Sequence, residues 1–393
     1  MVKIHEHIPS GYKPSPLGPI PEDWEVKRLG EVCNFLDSQR VPIKDGDRVK
    51  MQGKYPYYGA SGIIDYVNDY LFDDNLILLG EDGANILTRS TPLAFLVSGK
   101  VWVNNHAHVL KTSTNHNRYY ICNYLESLSY DKYNTGTAQP KLNREICENI
   151  PILLPNIYEQ NKIADILQLW DTAIAKQTAL IEQLTLRKRG LMQQLLTGKK
   201  RLKGFEGGNF HRLGNYISEC NRRNAGCNRV LSVTNTKGFI LQEEQFDKIV
   251  ASNDTSNYKV VRRGEFAYNP SRVNVGSLAM LKEYDEGILS PMYIVFKANE
   301  NIDKTYLLQC LQSWWFRGHI PAYTQGSVRD SLSFDGLCSM KFYIPTLQEQ
   351  KAISAILEQA DQEIEIQKQK LTAMQAQKKG LMQVLLTGKR RIL

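Results

Sequence analysis

The sequence has no run approaching the roughly 18 consecutive apolar residues of a membrane-spanning helix. Its first residues, MVKIHEHIPSGYKPSP, lack the apolar segment and small-residue cleavage site of a signal peptide. A cytoplasmic protein without a membrane partner is expected. Paired cysteines are also missing: Cys33, Cys122, Cys147, Cys220, Cys227, Cys310 and Cys338 form no C-x-x-C pair and no zinc-ligand spacing. They read as reduced, mostly buried thiols, and no metal is expected. The nearest approach to a nucleotide-binding G-x-x-x-x-G-K-[ST] loop is Gly190 to Gly198-Lys199-Lys200, with the wrong spacing and no hydroxyl after the lysine. Tyr268-Asn269-Pro270-Ser271 lacks the second proline of an amino-methyltransferase loop, and no glycine-rich cofactor loop follows a strand. Asp73-Asp74 and Glu81-Asp82 have no lysine at nuclease-like spacing and read as turn residues. These absences exclude nucleotide hydrolysis and count against cleavage or methyl transfer by the chain alone. A non-catalytic protein without a cofactor is expected.

Acidic side chains are missing from two stretches, residues 187 to 203 and 366 to 393, each with seven Lys/Arg, within a chain of net charge +8. Such blocks suit a polyanion, although cations in the last turns of a helix also offset its dipole. With 393 residues, 42% hydrophobic and 9% aromatic, the chain is long enough for two or three cored domains.

What the sequence does contain is a repeat. Pro155 to Lys203 aligns without a gap to Pro345 to Leu393, 190 residues on, with 20 identities in 49 positions. Gly136-Thr137 and Leu142 match Gly326-Ser327 and Leu332 at the same offset, and Arg28-Leu29-Gly30 is echoed by Arg212-Leu213-Gly214. Two tandem copies follow, each a variable globular part and a preserved tail. The tails carry apolar residues at alternating steps of three and four, as in Ile163, Leu167, Trp170 and Ile174, which predicts two helices of about 40 residues. They start near Pro155 and Pro345 and end at Gly198 and Gly388, where glycine takes the left-handed cap. The same polar residues interrupt both seams, Gln177 with Gln367 and Lys188 with Lys378. Polar residues at matched seam positions set register in a mutual coiled coil; alternatively the glutamines face solvent at a helix edge. The expected fold is mixed α/β (α+β): an N-terminal arm over 1–19, globules over 20–150 and 204–343, and helical spacers over 151–203 and 344–393. A two-fold arrangement would fold the helices as an antiparallel coiled coil with the globules at opposite ends.

Both globules interleave aromatics with groups suited to nucleic acid. The first offers Lys54, Tyr57, Arg89, Asn105, His106, Thr137, Gln139 and Lys141; the second offers Arg222, Arg262, Asn269, Arg272, Asn274, Ser327 and Arg329. Arginine forks onto guanine and Asn or Gln onto adenine, while lysine holds phosphates; each residue singly is also an ordinary surface group. Gln139 and Arg329 stand out because their loops, 136–141 and 326–331, hold equivalent places in the two copies. His106 and His108 would share a strand face, in a hydrogen-bonded or DNA-facing role in preference to a metal.

Ile20-Pro21-Glu22-Asp23-Trp24, Tyr55-Pro56-Tyr57-Tyr58-Gly59-Ala60-Ser61-Gly62-Ile63-Ile64, Gly136 to Leu142, Phe266 to Arg272, Gly287 to Tyr293, and the Pro-to-Glu-Gln starts of both tails together resemble the type I restriction-modification specificity subunit. The resemblance spans nearly the whole chain. It implies two target-recognition domains, each reading half of a split site in double-stranded DNA, and helices that act as spacer and as docking site for two modification (methyltransferase) subunits. Restriction (translocase/endonuclease) subunits would join through that core. The competing readings are a coiled-coil scaffold that reads no sequence and a stand-alone duplicated DNA-modifying enzyme.

Overall fold

The computed structural model describes residues 8–136, 138–235, 237–245, 254–324 and 331–392. They form two compact units that do not follow chain order: one holds the chain up to Gln177 together with Lys370–Leu393, the other Thr178–Gln369. Among the described residues no helix is long and apolar enough to cross a membrane.

The first unit is built on a six-stranded sheet in the order 33–35, 107–112, 72–80, 94–103, 52–59, 62–67. Neighbours are antiparallel except 52–59 with 94–103, where Tyr57 and Tyr58 run parallel to Trp102 and Val103. Strand 72–80 is central, and its Leu76, Ile77, Leu78 and Leu79 are all fully buried, the continuous apolar run of a strand covered on both faces. Helix α1 (Arg118–Ser127) starts where Asn117 accepts a hydrogen bond from the Tyr120 amide. Its Tyr120, Ile121 and Leu125 share a core with Trp24, Leu29, Ile77 and Leu110.

A 39-residue helix, α2 (Ile157–Leu195), follows. Asn156 accepts from the Glu159 amide at 2.9 Å to open it. In the first unit, Ile163 and Leu167 of α2 join the core together with Met382, Leu385 and Leu386 of a second 39-residue helix, α4 (Leu347–Leu385). Lys378 Nζ meets Asp171 at 2.5 Å. Ascending residues on α2 therefore meet descending residues on α4, an antiparallel pairing.

The second unit repeats the plan with smaller sheets. A four-stranded sheet orders 217–219, 294–298, 266–268, 278–280, and helix α3 (Lys304–Gln312) is capped by Asp303 accepting from the Tyr306 amide. Leu195 and Leu196 of α2 pack with Ile353 and Leu357 of α4 in its core, and Lys188 Nζ meets Asp361 at 2.5 Å, again antiparallel. The expected caps are present in both helices: Gly198 and Gly388 share φ 71°, and the Lys200 and Arg390 amides each reach back 3.0 Å to the Gln194 and Val384 carbonyls.

Gln177 is buried, which excludes a solvent edge for it; Gln367 is half-buried. Lys188 and Lys378 interrupt the seam because each has an acid, Asp361 or Asp171, to meet. The repeated Glu-Gln step also has a physical role in each unit. Gln160 accepts from the Asn117 amide and donates to the Pro155 carbonyl, while Gln350 accepts from the Asp303 amide and donates to the Pro345 carbonyl. Each glutamine thereby ties the start of a long helix to the cap of the globule's own helix. Glu159 and Glu349, both buried, take Arg391 and Arg201 respectively.

Candidate nucleic-acid interface

In the first unit, one end of the large sheet gathers three turns. The finger 134–142 is closed at its neck by Asn134, whose Oδ1 accepts from the Gly136 and Lys141 amides at 3.0 and 2.8 Å. The Thr135 amide also donates to the Lys141 carbonyl. A Cβ on Gly136 would lie 1.7 Å from the Gln139 carbonyl oxygen, so only glycine permits this closure. The turn after strand 72–80 braces the finger, with Gly83 N–H donating to the Pro140 carbonyl and Leu142 N–H to that of Glu81. The third turn, Asn104 to His106, is held by the His106 amide on Asn104 Oδ1 at 2.8 Å. Exposed at this end are Asn105, Gln139 and Lys141, with His106 Nδ1 2.8 Å from Asp82.

Beneath them lies a buried polar bracket. His108, 1% exposed, bonds Asp37 through Nδ1 at 2.7 Å and the Leu142 carbonyl through Nε2 at 2.8 Å. Burial opposes its charge, but the Asp37 carboxylate and the Cys147 sulfur together outweigh burial and hold the imidazole pKa up at about 10. Asp37 is correspondingly held below the usual carboxylate range: burial works against ionisation and the imidazolium prevails. Both ring nitrogens then donate, and Leu142, the root of the finger, is pinned to the sheet. Arg40 adds a second tie, donating to Glu81 and to the Ala107 carbonyl at 2.7 Å each.

Several sequence candidates are placed elsewhere. Tyr57 is 2% exposed, with its hydroxyl accepting from the Ile43 amide at 3.1 Å, and is a core residue, not a DNA-facing one. Arg89 is committed to Glu126 at 2.7 Å and stacks on Tyr130. Arg222 is committed to Glu265. Lys54 is exposed but lies over the Tyr55 ring, and exposed Arg262 lies 3.7 Å from Glu286. His106 and His108 differ from expectation because the strand begins at Ala107: His106 falls in the turn, outside the alternation, and only His108 is enclosed. Thr137, Ser327 and Arg329 lie outside the described residues.

In the second unit a cleft of 610 Å³ collects Asn269 and Arg272 with Gln242, Ser290 and Tyr293. Asn274 is exposed beside it, its Oδ1 accepting from the Val275 amide. The groups that sequence reasoning missed are those that hold others in place, namely Asn134, Asp37 and Arg40. No linear pattern marks Asp37 and Arg40, because their partners lie on distant strands, whereas Asn134 bonds within its own finger.

No group of three His, Cys, Asp or Glu among the described residues is arranged to hold a metal. What the two units present instead is amides, hydroxyls and cations on braced turns, a set suited to base edges and phosphates. A model of the type I restriction modification DNA specificity domain matches residues 21–186 and again 235–376. The chain belongs to the type I restriction-modification DNA specificity family. Among members of this family, it is 27% identical over 417 residues to the type I restriction enzyme MjaVIII specificity subunit of Methanocaldococcus jannaschii, covering 95% of this chain and 94% of that one. It is 24% identical over 430 residues to the putative MjaX specificity subunit of the same organism, covering 97% of each. In fold, it resembles the type I restriction-modification S subunit from M. genitalium with a TM-score of 0.57 at 14% identity, covering 92% of this chain and 96% of that structure. The family description is of a DNA specificity domain, not of a catalytic one.

Proposed function

We propose that this chain is the non-catalytic specificity subunit of a type I restriction-modification complex, in which each globule reads one half of a bipartite site in double-stranded DNA. The observation that carries this reading is the duplication of the specificity-domain match, 21–186 and 235–376, in a chain whose two units each offer a braced polar surface. Gln139, Asn105 and Lys141 face DNA in the first unit, and Asn269, Arg272 and Asn274 in the second. Modification and restriction subunits supply the chemistry, and the long helices serve as spacer and docking platform. Docking is further supported by a groove of 530 Å³ in the second unit, where Met192 and Leu196 of α2 meet Phe210 and a largely exposed Trp314.

Methylome sequencing of the source cell with and without this gene tests the reading. Loss of methylation at one split motif on deletion is expected. A methylome unchanged by deletion contradicts the proposal, and methyl transfer by the purified chain alone would favour the stand-alone enzyme.

A further inference from the structure

Most arginines described in the second globule already have partners. Arg222 pairs with Glu265, Arg263 with Asp285 and Arg262 with Glu286, while Arg223 and Arg229 donate to the Asn257 and Glu286 carbonyls. Arg272, like Arg212 and Arg317, is not among them, and of these three it is the one that lines the cleft. Its guanidinium makes no ion pair or hydrogen bond among the described residues, and it lines the 610 Å³ cleft, in which no described lining residue is Asp or Glu. The cleft's other polar groups are neutral and include donors with no acceptor among the described residues: the Asn235 and Gln242 amides and the Ser290 hydroxyl. Tyr293 adds a hydroxyl that already accepts from the Val233 amide at 3.4 Å, leaving its proton to donate. One cation among neutral donors, with no carboxylate among the described lining residues to neutralise it, suits a compact anion with several acceptor oxygens.

The backbone holds Arg272 in place. Asn269 Oδ1 accepts from the Ser271 amide at 3.1 Å, the Arg272 amide returns to the Asn269 carbonyl at 3.0 Å, and the Arg272 carbonyl accepts from Ser277 and Val275. The closed turn therefore fixes where the Arg272 side chain leaves the backbone, at the wall of the cleft. Arg272 is exposed, but it stands at the wall of a cleft whose hydroxyl and amide groups can donate to phosphate oxygens. We propose that Arg272, with Gln242, Asn235 and Ser290, clasps a backbone phosphate of duplex DNA, so that it sets the register of the second unit on the duplex and does not read a base. This rests on the DNA-specificity reading above.

The experiment uses the full chain assembled with its modification subunits and measures affinity against salt for the target duplex and for a random duplex. Arg272→Gln should weaken binding to both by a similar factor, roughly tenfold, the scale of one charge-assisted hydrogen bond. It should also reduce the slope of log affinity on log salt by about 0.9. Arg272→Lys should restore the slope while recovering only part of the affinity, because an ammonium lacks the fork. Inorganic phosphate should compete more weakly against Arg272→Gln than against the wild type. A loss confined to the target duplex would make Arg272 a base reader and overturn the proposal, as would unchanged affinity and slope in a variant with unchanged thermal melting. Failure of the specificity reading is distinguishable: the wild-type complex would then prefer no sequence at all, whatever the slope of the variant.

Discussion

At the scale of single residues, the first unit separates exposed groups, proposed to face DNA, from buried groups that hold them in place. Gln139 stands on a finger whose neck is closed by Asn134 and whose root is pinned by His108. If Gln139 reads a base edge, Gln139→Ala should cost about 1 to 3 kcal/mol on the target duplex and close to nothing on random DNA; a binding titration on both duplexes checks this. An equal loss on both would make Gln139 a phosphate contact.

His108 should act through stability. Its folded pKa of about 10 lies above an unfolded value near 6.5, so its contribution is fully present below about pH 6.5 and declines as pH rises toward 10. Asp37 has the opposite sign, contributing above the usual carboxylate range and losing that contribution in acid. Melting curves from pH 6 to 10 should therefore show the wild type losing its advantage over His108→Gln as pH rises, whereas parallel curves would contradict the assignment.

Sequence reasoning singled out the finger because it repeats at matched places. It did not see that Tyr57 is enclosed or that Arg89 and Arg222 are already paired. A tyrosine or arginine carries the same letter on a surface and in a core pair, and only tertiary contacts distinguish the two.

At the scale of elements, the long helices were the most legible part of the chain, since a three-four apolar pattern over 39 residues leaves little else for the backbone to do. The repeated lysines were legible as seam interruptions, but their partners were not. Asp171 and Asp361 occupy matched positions in the repeat, yet each pairs with the other helix's lysine, Lys378 or Lys188. Asp171 also accepts from the Tyr119 hydroxyl and Asp361 from the Gln309 amide, so each pair ties the coil to its globule. The C-terminal arginines read as dipole-balancing or phosphate-binding cations; Arg201 and Arg391 instead reach buried glutamates. Lys378→Asp should place two carboxylates face to face and destabilise the first unit by about 1 kcal/mol, the scale of a partly exposed pair. Adding Asp171→Lys should recover most of that. A double-mutant cycle by chemical denaturation measures the coupling, and zero coupling would reduce the pair to incidental proximity.

At the scale of the whole molecule, duplication does more than any motif to define the function. The repeat places one specificity-domain match in each copy, the basis of the proposal that two readers on one chain recognise a site in two parts. The structure adds that the last residues of the chain belong to the first unit, with Arg391 closing on Glu159 and Asp23, so the second tail completes the first recognition unit. Exchange of readers should therefore be cleanest when residues 20–150 alone are replaced by the corresponding segment of a family member, leaving both tails intact. The decisive measurement is selection of bound duplexes, from a pool with randomised half-sites and variable spacers, by the wild-type complex and by this chimera. The account predicts that one half-site changes to the donor's while the other half-site and the spacer stay as they were. A change in both half-sites together, or in neither, would contradict it.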